Sequence, residues 1–144
     1  VSTGASAMIV MSEGKAKKLG IKPRARIVTT AVAGCDYLRM GMGPLPATEK
    51  AMHRAGLTMK DLDIIELNEA FAAQSLYVIR KGNWPENKIN LLGGAIALGH
   101  PLGMSGLRIV GTAVTALEKV NGKYGLATLC VGEGQGAATI VERR

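Results

Sequence analysis

Aromatic side chains are nearly missing from this 144-residue chain, which has one Phe, one Trp and three Tyr. A core built here must therefore come from Ala, Val, Ile, Leu and Met. Cysteine is as scarce, with only Cys35 and Cys130. Two thiols in no metal-binding spacing exclude a disulfide framework and a zinc module, and they suit a reducing compartment. No apolar run is long enough to span a bilayer. The N-terminus lacks the basic stretch, apolar stretch and cleavage site of a secretory signal. It opens on Val1 and not on Met, as expected of a processed product or a piece of something longer. Lys and Arg number 18 against 11 Asp and Glu, a formal net charge of +7. The basic residues are scattered, with no dense run interleaved with aromatics, so nucleic-acid binding gains no support. The plain reading of this charge is a solvated surface. The functional reading is a field that attracts a polyanionic ligand such as a nucleotide cofactor.

What is abundant is glycine, 19 residues clustered at 93–106 and 132–136. Around these clusters the pattern alternates strands with helices along the whole chain. Ala5 to Met11 is an apolar run that reads as a buried strand. Ser12 is placed to cap a helix over Glu13–Leu19, which Gly20 ends. Strands are predicted over Ala25–Val32 and Ile64–Leu67, and helices over Thr48–Ala55 and Ala70–Arg80. Thr58 and Asp61 are spaced as a capping pair. The longest helical pattern, Ser105 to Val120, carries Leu107, Val110, Val114 and Leu117 on one stripe. Tyr124–Val131 and Ala137–Val141 read as a hairpin across the 132–136 glycines. The expectation is one α/β domain over residues 1–144, with a mixed five-stranded sheet and helices on both faces.

Three short motifs sit at junctions between these elements, where α/β sheets gather ligand sites. They are Asn68-Glu69-Ala70-Phe71, the loop Gly93-Gly94-Ala95-Ile96-Ala97-Leu98-Gly99-His100-Pro101, and Cys130-Val131-Gly132-Glu133-Gly134. Each has a plain alternative. Asn68 fits a helix N-cap, His100 a satisfied loop histidine, and Cys130 a small buried core residue. His53 falls mid-helix between Lys50 and Arg54 and reads as a surface residue. Cys35 has no glycine turn or basic partner and reads as structural.

In combination and in this order, the three motifs closely resemble the C-terminal half of the thiolases, the acetyl-CoA acyltransferases. Leu126-Ala127-Thr128-Leu129 before Cys130 and Gly134-Gln135-Gly136 after it extend the likeness over essentially the whole chain. The resemblance implies acyl transfer between coenzyme A thioesters. Coenzyme A and acetyl-CoA serve as substrates, and no cofactor or metal is permanently bound. It implies that Cys130 is an acid/base whose lowered pKa lets it take an α-proton. It implies that His100 activates a nucleophilic cysteine and donates to an enolate oxygen. Asn68 would fix a water in that oxyanion hole, and the Gly132 N–H would serve a second hole. Ala70 and Phe71 would touch the pantetheine arm.

The nucleophilic cysteine belongs to an N-terminal half that this chain does not contain, so that half is an expected partner. A homo-oligomer is expected too, in the cytoplasm or, in a eukaryote, in mitochondria or peroxisomes. Glu133 departs from the family, which usually has glycine there. If that position needs φ > 0, glutamate costs about 1 kcal/mol or more. Met104 stands where a small residue is common, and it either narrows the acyl pocket or fills a core gap. The alternative to an enzyme part is a truncated, non-catalytic α/β module that dimerises or binds acyl-CoA weakly.

Overall fold

The computed structural model describes residues 2–144. Helix α1, Glu13–Leu19, is capped by the Ser12 side chain, which accepts from the Lys15 N–H, and it ends at Gly20 with φ 65°. Strand β1, Ala25–Gly34, leads through a 3-10 segment at Tyr37–Met42 to helix α2, Pro44–Ala55. A Thr58–Asp61 capping box precedes strand β2, Ile64–Leu67. Then come α3, Ala72–Gly82, the single-turn α4, Ala95–Leu98, and the long α5, Leu102–Val120. Strands β3, Tyr124–Val131, and β4, Gln135–Arg143, close the chain as a hairpin.

The sheet is mixed and its order is β1-β4-β3-β2. β1 and β3 flank β4 antiparallel, while β2 lies parallel to β3. Alternation divides the side chains of each strand between two cores. Ala31, Ile65, Leu67, Leu126, Ala138 and Ile140 pack with Ala47 and Ala51 of α2 on one face. Ile64 and Val141 pack with Ala113, Val114 and Leu117 of α5 on the other. Helices thus cover both faces. The long α5 places the loop before it against the end of β2.

The sheet has four strands, not five. Residues 2–11 carry no strand ladder and are exposed, with Ile9 85% and Val10 67% accessible. A strand needs a free edge, and this sheet has closed its own. On the β1 edge, Lys50 Nζ donates to Val32 O at 3.0 Å and Arg54 Nη1 to Thr30 O at 2.7 Å. On the β2 edge, Ile89 forms a bridge to Ile65, and the Asn90 side chain occupies Leu67. The 2–11 segment lies along α5 instead, where Ser6 Oγ donates to Met104 O at 3.2 Å.

Candidate functional site

Asn68 follows the last residue of β2. Its N–H donates to Thr128 O at 2.9 Å, and it is 1% exposed. It does not cap α3: that N-cap is Phe71, which makes no side-chain cap bond. Instead the Asn68 Nδ2 lies 3.3 Å from His100 Nε2. On the other side of the ring, Nδ1 lies 2.6 Å from Ser105 Oγ. Ser105 is fully buried, and its hydroxyl donates to Pro101 O at 3.0 Å. A serine has one proton to give, so Oγ can only accept from the His100 Nδ1–H. The neutral ring therefore keeps its lone pair on Nε2, where the Asn68 amide donates to it. Burial lowers the imidazole pKa, and the nearby Arg108 charge lowers it further. The geometry is that of a neutral base with its accepting nitrogen fixed in direction.

The loop carrying His100 is held from three sides. Gly93 and Gly99 sit at φ 89° and 88°, a region that side chains rarely adopt. Arg108 Nη1 donates to Gly99 O at 2.9 Å, so α5 grips the peptide just before the imidazole. The Ile96 N–H donates to Glu69 Oε2 at 2.9 Å, tying the loop to the residue beside Asn68. From the 2–11 segment, Ser2 Oγ accepts from the His100 N–H at 3.3 Å.

Cys130 lies one residue before the end of β3 and is buried. Two residues earlier on this strand, Thr128 O receives the Asn68 N–H, so both residues reach the same end of the sheet. Among the described residues no hydrogen bond joins the Cys130 thiol to Asn68 or His100. Burial pushes the thiol pKa up, and Cys35 adds to that. The direction is thus opposite to the expected lowering: a backbone N–H opposes the desolvation of Cys130 but does not outweigh it. Gly132 starts the turn into β4, and its N–H has no acceptor among the described residues. Glu133 is exposed at φ 64°, so this position does take the left-handed conformation in which a side chain is strained. Cys35 N donates to Gly134 O at 2.7 Å and holds the far side of the turn. Ala70 is half-buried and Phe71 is 64% exposed, both just beyond Asn68. His53 is exposed on α2.

Sequence reasoning missed several residues. Ser105 was only the start of a predicted helix. Asn90 was only the start of an apolar stretch, although asparagine is a side chain that tolerates a left-handed turn. Arg108 was one scattered cation among many. Glu66 was simply part of a strand. It is 2% exposed, its Oε1 has no hydrogen-bond partner, and its pKa is pushed up to about 7 by burial and then by Glu69, with Arg108 opposing.

Comparison with known proteins places this geometry in a class. The family described as thiolase, C-terminal domain, matches residues 21–143. The 3-ketoacyl-CoA thiolase of Alcanivorax borkumensis is 60% identical over 146 residues, covering 99% of this chain and 37% of the relative. That of Vibrio cholerae is 62% identical over 146 residues, covering 99% and 38%. The crystal structure of human mitochondrial 3-ketoacyl-CoA thiolase superposes with a TM-score of 0.91 at 49% identity, over 92% of this chain and 34% of that one. A second structure of that enzyme, in complex with CoA, matches equally well. Bacillus anthracis acetyl-CoA acetyltransferase gives 0.91 at 42% identity, over 93% and 34%. The chain belongs to the thiolase family, in the part described as its C-terminal domain. It spans a little over a third of the length of the curated relatives it matches.

Proposed function

We propose that this chain, as one domain over residues 1–144, is the acid/base and oxyanion half of an acyltransferase acting on coenzyme A thioesters. The observation that carries this reading is the Asn68–His100–Ser105 array, which aims the Nε2 lone pair through its bond from the Asn68 amide. A neutral, partly desolvated imidazole of this kind suits proton removal from a thiol. In the reaction, Nε2 gives up the Asn68 N–H, takes the proton of a nucleophilic cysteine supplied by an N-terminal half, and leaves the Asn68 amide free to hold a water. The resulting Nε2–H then faces the oxygen where enolate charge develops, beside the water that Asn68 holds. Cys130 protonates the leaving α-carbon when a 3-ketoacyl-CoA is cleaved, and its raised pKa keeps it in the protonated form that this step needs. In the reverse, condensing direction Cys130 removes that proton. The unbonded Gly132 N–H serves the thioester oxygen. Ala70 and the exposed Phe71 receive the pantetheine arm.

The partner half docks on the face where apolar side chains now meet water. Ile9, Val10, Ile96, Leu98 and Leu102 are all exposed, more than a self-sufficient domain leaves bare. A homo-oligomer of the assembled enzyme fits the same reading, as does an acyl-CoA-processing compartment: bacterial cytoplasm or, in a eukaryote, mitochondria or peroxisomes. The test is complementation. The 144-residue chain alone should show no thiolysis of acetoacetyl-CoA, and adding a thiolase N-terminal half should bring turnover. Robust turnover by the chain alone, or none after assembly, overturns the reading.

A further inference from the structure

We infer that Asn90 is a positioning residue for the Asn68–His100 pair, acting through Glu69 to hold the end of β2 and the glycine loop in one register. The inference rests on the reading of that pair as acyl-transfer machinery. Asn68 and His100 come from different elements, yet their side chains must meet at hydrogen-bond distance. Nothing in β2 or in the loop alone secures that meeting.

Asn90 supplies the missing strut. It follows the Ile89 bridge to β2 and sits at φ 48°, a left-handed conformation that asparagine tolerates. Its N–H donates to Ile65 O at 2.9 Å. Its side-chain amide then imitates a paired strand residue. Oδ1 accepts from the Leu67 N–H and Nδ2 donates to Leu67 O, both at 2.9 Å. The same Nδ2 donates to Glu69 Oε1 at 3.1 Å. Asn90 therefore holds both sequence neighbours of Asn68.

Glu69 carries the constraint onward, because its second oxygen, Oε2, accepts from the Ile96 N–H, four residues before His100. Gly94 makes the passage possible: a Cβ there would overlap the Glu69 carboxylate. The chain of contacts from Leu67 through Asn90 and Glu69 to Ile96 thus spans the two pieces of backbone that present Asn68 and His100. Aspartate at 90 keeps the acceptor for Leu67 but loses both donated bonds, and it sets a second carboxylate against Glu69. A misplacement of about 1 Å in such a pair costs about 100-fold in rate.

The experiment has two arms. In the 144-residue chain, the ring ¹⁵N signals of His100 are compared between the native protein and Asn90→Asp, with the exposed His53 as an internal control. In the assembled two-half enzyme, kcat and KM are measured for the same variants. Asn90→Asp should shift or split the His100 signals and leave those of His53 unmoved. It should lower kcat about 10- to 100-fold with KM changed less than about two-fold. Adding Glu69→Gln restores a donor facing Asp and an acceptor facing the Ile96 N–H, so the double variant should recover part of both losses. Unmoved His100 signals in a folded Asn90→Asp variant overturn the inference, whatever kcat does. If Asn90→Asp does not fold, Glu69→Gln alone decides: it should move the His100 signals, and unmoved signals overturn the inference. An assembled native enzyme without turnover defeats the acyl-transfer reading, while the His100 signals still decide the positioning role.

Discussion

The two legs of the site are built in opposite ways. The Asn68–His100 leg is over-determined: Ser105, Arg108, Glu69, Asn90 and Ser2 all bond to it or to the backbone beside it. The Cys130–Gly134 leg has little to hold it beyond its own hairpin, the Cys35–Gly134 bond and a side-chain bond from Gln135 Nε2 to Gly132 O at 3.3 Å. It also carries Glu133, an exposed residue in the left-handed conformation. The contrast follows from what each leg contributes. An imidazole must be aimed, so its tautomer and direction need external bonds. A thiol at a strand end is aimed by the strand itself, and a turn of backbone donors tolerates a change of side chain. Substitutions in the first leg should therefore cost stability and activity together. In the second, removing the thiol should separate the two.

The largest separation is expected for Cys130→Ala. In the assembled enzyme it should lower turnover by roughly 10²- to 10⁴-fold, the usual worth of a positioned acid/base. The melting temperature of the 144-residue chain should barely change, because the replacement is small and apolar. A variant as active as the native enzyme would remove Cys130 from the mechanism and erase the contrast.

Next comes Glu66, which lies beneath the first leg, two residues before Asn68. Its folded pKa of about 7 stands above the ordinary 4.5, so the folded state holds the proton more tightly than the unfolded one. Stability should then fall as pH rises from about 4.5 to about 7, by up to about 3 kcal/mol at 1.36 kcal/mol per unit. His100 works the other way. Its folded pKa is lowered, so stability is lost as pH falls below about 6.5. Subtracting the denaturation curves of Glu66→Gln from those of the native chain isolates the carboxyl. A difference that does not change between pH 5 and 8 would mean that Glu66 is not neutral in the fold.

Ser105→Ala should cost about 1–3 kcal/mol in stability by leaving the partly buried His100 Nδ1–H without its acceptor, while Pro101 O keeps the Met104 and Ser105 N–H bonds. Activity should fall with it, since the tautomer is no longer fixed. Loss of one without the other would break the proposed coupling in the first leg. Smallest is Glu133→Gly, which relieves a left-handed residue and should raise stability by about 1 kcal/mol. Activity should also rise, because a carboxylate is removed from beside Cys130. A fall in activity would make Glu133 a useful part of the second leg.

Much of this architecture was legible because it depends on local chemistry. The Ser12 cap, the Thr58–Asp61 box and the stop at Gly20 are decided within a few residues, and they fall where the sequence put them. Strands 64–67 and 124–131 agree to the residue. The misreading at Ala5–Met11 shows the limit. An apolar run declares that it seeks a neighbour, but not whether an edge is open. The site divides along the same line. Asn68, His100 and Cys130 were visible as residue types at junctions, whereas Ser105, Asn90 and Arg108 work through tertiary contacts that no window of sequence contains. The direction of the Cys130 shift was missed for the same reason, since desolvation depends on what packs around the sulfur.

The unpaired 2–11 segment has a consequence for handling the protein. Ala5 to Met11 is seven residues with no charge and no proline, exposed and outside any helix or strand ladder, which is the composition of an aggregation nucleus. The brake is the net charge of +7, which keeps molecules apart at long range. Salt weakens that brake without altering the segment. Raising ionic strength should hasten self-association and fibril growth, and Ile9→Lys should slow both.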